Sequence, residues 1–252
     1  MRTQAFSSFS ATNKGEKMLI NLIRNGFTQD AVIQILLFIP VILISLTVHE
    51  YCHGYAAYLC GDTTAKWNGR LTLNPIKHLD PIGTIMMLLF GFGYARPVPI
   101  NPRNFKNYRF GLIAVSLAGP LSNLLLSFIG LICLYTTVHL FPMQFFQPSP
   151  FFNAWLIFII SFSLSNVALA VFNLIPIPPL DGSRIITAVL PAKIAYYYNK
   201  YEQYIMIIVL ALLYFNVLDG IIYSARDLIL KGMTYLIELL PFFSFPLSHF
   251  LF

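Results

Sequence analysis

Charge is scarce in this chain. Asp, Glu, Lys and Arg make up 10% of its 252 residues, against roughly 25% in ordinary soluble proteins. Hydrophobic residues reach 57% and mean hydropathy is +0.70. Together these exclude a water-soluble globular domain and point to a polytopic membrane protein. Cysteine is scarce as well: Cys52, Cys60 and Cys133 are odd in number and lie in or beside apolar runs. A disulfide framework is therefore not expected, and Cys52 reads as a small packing residue. The first 28 residues carry Arg2, Lys14, Lys17 and Arg24. They lack an uninterrupted apolar core of about 7–15 residues, so no cleaved signal peptide is expected. No internal repeat or low-complexity segment is present. The net charge of +6 does not indicate a nucleic-acid binder, because the basic residues fall in loops between apolar runs, as cytoplasmic flanking charge does.

The chain does have long apolar runs. Helix A is expected from Ala31 to about Leu59, helix B from about Phe110 to Leu140, helix C from about Phe151 to Leu174 and helix D from about Gln203 to Ile222. Such runs meet the requirement of about 20 residues for crossing a bilayer. A shorter segment from about Pro81 to Phe92 opens on Asp80 as N-cap with Pro81 at the first helical position. It is too short to span and reads as re-entrant. In the stretch Tyr94 to Phe105, Pro97, Pro99 and Pro102 forbid helix and suit an extended edge hairpin. Residues 61–77 read as a polar connection with short extended pieces. Ile185 to Lys200 is amphipathic, tyrosine-rich and reads as interfacial, with the tyrosines from Tyr196 onward forming an aromatic belt.

The expected fold is an all-α polytopic membrane protein of about four to six transmembrane or re-entrant helices with a small membrane-associated β-hairpin. Residues 1–30 form a polar or interfacial lead-in, 31–225 a membrane-embedded core, and 226–252 an apolar tail broken by Pro241 and Pro246. Residues 61–109 hold seven Lys and Arg and residues 176–203 hold three, whereas the loop 141–150 holds none. The positive-inside rule puts the first two on the cytoplasmic side and the third outside. The four basic residues upstream of helix A fit this orientation poorly.

Polar chemistry is concentrated in His49-Glu50-Tyr51-Cys52-His53, inside helix A. Two histidines four apart lie on one helical face, separated by about 40° at roughly 100° per residue. That suits two zinc ligands, with Glu50 beside them as a candidate base for a water. Ionisable groups at bilayer depth are costly and mark function. A catalytic zinc takes a third protein ligand, and the candidates are Asp181, Asp219, Asp80, His78 and Asp62. Context favours Asp181, which follows a Pro-rich break that frees its carboxylate to approach helix A. His78 and Asp80 otherwise read as structural, Asp219-Gly220 as an interfacial turn near the end of helix D, and Asn123 as a packing or hydrogen-bonding residue.

HEYCH on a membrane helix, LAGPLSN (Leu117 to Asn123) on a later one and NLIPIPPLDG (Asn173 to Gly182) resemble the site-2 protease family, the M50 intramembrane metalloproteases. The resemblance runs from about Val41 to Arg184. The segments RLTLNPIKHLDPIGT and RPVPINPRNF are similar to the compact prokaryotic branch without PDZ or CBS domains. The resemblance implies one zinc ion per chain held by His49, His53 and Asp181. It implies Glu50 as the base that takes a proton from the attacking water and passes it to the leaving amine. It implies Asn173 as a donor to the developing oxyanion, and the hairpin around Arg96 to Phe105 as a β-loop that pairs with an unwound substrate. The substrates would be transmembrane proteins, and the location the prokaryotic cell membrane with the site toward the cytoplasm. Two rival classes are a catalytically idle binding or chaperoning pseudoprotease and a metal-ion transporter.

Overall fold

The computed structural model describes residues 29–83, 95–215, 217–243 and 247. Most of the lead-in, most of the short segment expected from Pro81 to Phe92, and the end of the tail lie outside the described residues. Helix α1 spans Gln29–Leu59, α2 Thr64–Trp67, α3 Tyr108–Leu140, α4 Pro142–Phe146, α5 Pro150–Leu174, α6 Asp181–Val189, α7 Ala192–Lys200, α8 Glu202–Tyr214 and α9 Asp219–Glu238. Among the described residues, three helical segments are long and apolar enough to cross a membrane: Ile35–Leu59, Tyr108–Leu140 and Pro150–Leu174.

Local chemistry sets the ends of these helices. Asn107 caps α3 by accepting from Phe110 N–H at 3.1 Å. Ser149 caps α5 through Phe152 N–H at 3.3 Å, with Pro150 at the first helical position, a favoured arrangement. Asp80 accepts from Gly83 N–H at 2.9 Å, the cap its sequence suggested. Pro40 and Pro120 sit inside α1 and α3, which membrane helices tolerate when neighbours meet the freed backbone groups.

Helix α3 is central, packed along both α1 and α5, with α6 also against it. Lipid tails supply no hydrophobic drive between helices, so close packing and interhelical hydrogen bonds decide. Leu131, Leu134, Leu156, Ile160, Leu230 and Ile237 belong to the apolar core shared by α3, α5 and α9. The α1–α5 seam is polar instead: the buried Asn166 amide donates to Ser45 Oγ at 2.9 Å, a bond type worth about 0.6 kcal/mol on average in membranes.

Two expectations need correction. Helix D is not continuous: α8 ends at Tyr214, and Asp219-Gly220 opens the 20-residue α9. Asp and Gly are poor interior helix residues, and an acidic group is favourable in a first turn. Leu230, Thr234 and Ile237 of α9 then share one buried face. The β-hairpin is the second. No strand occurs among the described residues, and 95–101 runs as irregular chain into a 3₁₀ turn at Pro102–Asn104. Its prolines have no N–H, and three of its remaining N–H groups are taken by other parts of the protein. Arg96 donates to His78 O at 2.9 Å, Val98 to Glu50 Oε2 at 2.9 Å and Asn101 to Asp62 Oδ2 at 2.7 Å. Residues 61–77 likewise carry the short helix α2 and a 3₁₀ turn at Pro75–Lys77.

Candidate metal centre

The four-residue spacing on α1 places His49 and His53 on a face buried against α3, 5% and 6% exposed. Asp181 reaches them from the first turn of α6, which folds back over the end of α5. That approach depends on Gly182. A Cβ there would collide with the Leu174 carbonyl and stand 2.6 Å from Ile175 O.

His49 Nε2 and His53 Nε2 lie 3.0 Å apart. Asp181 Oδ2 is 3.1 Å from His53 Nε2 and 3.3 Å from His49 Nε2. A tetrahedral zinc with ligands at about 2.0–2.1 Å has ligand–ligand edges of about 3.3–3.4 Å, so this triangle fits one face of it slightly tightly. The donor chemistry agrees. His53 Nδ1 is 2.7 Å from Val115 O, and a carbonyl only accepts, so the proton of a neutral ring sits on Nδ1. The His53 Nε2 lone pair then faces a carboxylate oxygen, an arrangement that a metal cation between them satisfies.

Gly119 of α3 supplies the room. A Cβ there would overlap His53 Nε2 and lie 2.7 Å from His49 Nε2. The concavity where the three ligand atoms meet is thus shaped by the missing side chain.

Among the described residues, the group that could hold a metal ion is His49, His53 and Asp181. The other candidates for a third ligand serve elsewhere. Buried His78 contacts Thr72 O at 2.7 Å through Nε2, Asp80 caps a helical turn and Asp219 starts α9. Asp62 is fully buried, accepting from Asn101 N–H and from the Asn104 amide at 2.8 Å. Asn173 lies at the end of α5 and donates to Leu169 O, one turn back, at 3.0 Å.

Glu50 is half-buried, with one carboxylate oxygen held by Val98 N–H. The segment that provides this donor is fastened at several points. Arg70 Nη2 donates to Arg96 O at 2.8 Å, and Lys106 N–H donates to Cys60 O at 2.9 Å. A cavity of about 470 Å³ opens between this segment, α3 and α6, lined by Ile100, Phe105, Leu112, Val115, Pro178 and Ser183 among others. Its lining includes Val115, whose carbonyl meets His53 Nδ1, and Ser183, two residues from Asp181.

Sequence reasoning missed the tie between Val98 and Glu50, and the use of Gly119. It read Asn123 as packing or hydrogen bonding, and in the structure that side chain is fully buried with its amide 3.2 Å from His49 Nδ1. A signal was available: Val115, Gly119 and Asn123 are spaced by four and share one helix face.

Comparison with known proteins gives an independent line. The model of Peptidase family M50 matches residues 137–216, a stretch containing Asn173 and Asp181. The chain is 44% identical over 199 residues to "Putative zinc metalloprotease YwhC" of Bacillus subtilis, covering 75% of this chain and 87% of that one. It is 32% identical over 148 residues to "Putative zinc metalloprotease Rip2" of Mycolicibacterium smegmatis, and 31% over 149 residues to that of Mycobacterium tuberculosis, spanning 52% of each. No solved structure matches the chain.

Proposed function

Because the chain belongs to peptidase family M50, we propose that it is an intramembrane zinc endopeptidase of the site-2 protease type, cutting other membrane proteins within or beside their spans. At the coarser level it is an integral membrane metalloprotease with zinc as its cofactor. His49, His53 and Asp181 are the proposed ligands, and residues 31–225 the proposed membrane-embedded catalytic core. When bound, zinc supplies Lewis acidity, polarising the scissile carbonyl and acidifying the attacking water.

The protein's own groups do the rest. Glu50, one residue from a ligand, takes the proton of the attacking water and delivers it to the leaving amine. The Val98 N–H fixes one of its oxygens and leaves the other for the proton. Asn173 donates to the developing oxyanion once its amide leaves Leu169 O, a role worth roughly 3–4 kcal/mol in other hydrolases. A substrate helix hides its carbonyls in i→i−4 bonds, so it must unwind before cleavage. The cavity between residues 95–105, α3 and α6 offers room for the unwound strand. The proposed location is the membrane of a prokaryotic cell with this end of the site toward the cytoplasm, an orientation supported by the basic residues in 61–109 and 176–203.

One observation carries this reading: two imidazole nitrogens and a carboxylate oxygen converge within 3.3 Å of one another, next to a glutamate on the same helix. The test compares membrane-protein fragments in cells carrying wild type or Glu50→Gln, with zinc content measured in both. Fragments present only with wild type, at equal zinc content, support the protease. Equal fragment patterns favour an idle pseudoprotease. Zinc uptake into proteoliposomes that is lost in His49→Ala would favour a transporter.

A further inference from the structure

The His49 ring has one neighbour whose chemistry is not yet accounted for. A neutral imidazole carries a single proton, so a ring that offers Nε2 to a metal keeps its proton on Nδ1. For His53 the Val115 carbonyl accepts that proton. For His49, the group facing Nδ1 is the Asn123 carboxamide at 3.2 Å. As placed, the NH₂ end of Asn123 faces the ring, and its Oδ1 is buried without a partner. An NH₂ group facing Nδ1 would require a lone pair there and move the ring proton onto Nε2, where His53 Nε2 and Asp181 Oδ2 already converge. Two faults thus share one origin: a buried acceptor with no donor and a ring proton on the wrong nitrogen. The two ends of a carboxamide have nearly the same shape, and a half-turn gives Oδ1 the Nδ1–H as its donor and leaves Nε2 its lone pair.

Resting on the zinc reading of this site, we propose that Asn123 is a positioning residue for His49: its carboxamide oxygen accepts the Nδ1–H and so fixes the Nε2 lone pair toward the metal. One face of α3 then serves both rings. The Val115 carbonyl orients His53, Gly119 leaves the space, and Asn123 orients His49. Asn123 is 0% exposed, so no bulk water competes for the ring proton. Partners of this kind typically set metal affinity by a factor of about 10–100.

The experiment measures zinc affinity by chelator competition on detergent-solubilised full-length protein, with thermal unfolding as a folding control. Asn123→Asp keeps an acceptor oxygen but has no donor, and Asn123→Ala has neither. Asn166→Ala removes an equally buried amide that bonds Ser45 on α1 without touching a ligand. The expected result is zinc binding about 10–100-fold weaker in Asn123→Ala, close to wild type in Asn123→Asp, and unchanged in folded Asn166→Ala. Equal weakening in Asn123→Asp and Asn123→Ala would overturn the acceptor role. Equal weakening in Asn123→Ala and Asn166→Ala would reduce it to general packing. A wild-type protein that binds no zinc would instead overturn the metal site itself, whatever Asn123 does.

Discussion

Val98 N–H donates to Glu50 Oε2 at 2.9 Å, joining residues 48 positions apart. Val98 stands between Pro97 and Pro99, neither of which has an N–H, so this bond is the one backbone donation available to that tripeptide. Hydrogen bonds to charged groups contribute about 1.5–3 kcal/mol. Val98→Pro deletes the donor in a segment that already accommodates prolines, while Val98→Ala keeps it. Turnover in Val98→Pro is expected to fall about 10–100-fold, as losing that energy from the transition state implies, with zinc content unchanged. Turnover in Val98→Ala should stay near wild type. Rate assays with a fluorogenic membrane peptide separate the two.

Gly119→Ala puts a methyl group where the ligand atoms converge. The expected outcome is a protein that inserts and folds but copurifies with little zinc. Metal analysis beside a thermal melt checks it; full zinc occupancy would show that α3 can shift to make room.

Asp62 gives a pH prediction. Burial would raise its carboxyl, but hydrogen bonds from Thr64, Asn101 and Asn104 outweigh that and lower it. A depressed folded-state pKa contributes stability that is present above the unfolded value of about 3.9 and lost as pH falls through the lower folded value. The segment around Asn101–Asn104 should therefore loosen on acidification below about pH 4. Asp62→Asn should loosen it already at neutral pH. Limited proteolysis or hydrogen exchange of residues 95–106 reads both.

Removing zinc should abolish hydrolysis and lower the melting temperature, and adding it back should restore both. At a free concentration of about 1,000 Kd, a ligand bound only by the folded state adds about 4 kcal/mol. Asp181→Asn keeps the shape but removes the charge, and should shrink the zinc-dependent shift in melting temperature.

The long helices and the His49–His53 pair were legible because each depends on periodicity within one segment. The approach of Asp181 to the two histidines was legible because the Pro-rich break before it frees its carboxylate to leave the helix axis. The end of α8 at Tyr214 was not, since the apolar run continues beyond it and only Asp219-Gly220 marks the start of α9. The expected hairpin failed for a related reason. The sequence displays its prolines, but not that the remaining N–H groups find acceptors at Glu50, Asp62 and His78, far back along the chain. Of the two ring partners on α3, the spacing of Val115, Gly119 and Asn123 pointed to a shared face and Asn123 read as a hydrogen-bonding residue, whereas the use of the Val115 carbonyl was hidden because a backbone carbonyl has no sequence signature.

The separation of His53 and Asp181 by 128 residues bears on how the protein is made. A nascent chain that has inserted only its first long helix holds two imidazoles and nothing to complete them. Helix α3 brings the groups that orient the rings, and the carboxylate emerges only after α5. With the proposed ligand set, the site is therefore incomplete until α6 has been made, and a chain holding only its first helices has no third ligand to offer a metal.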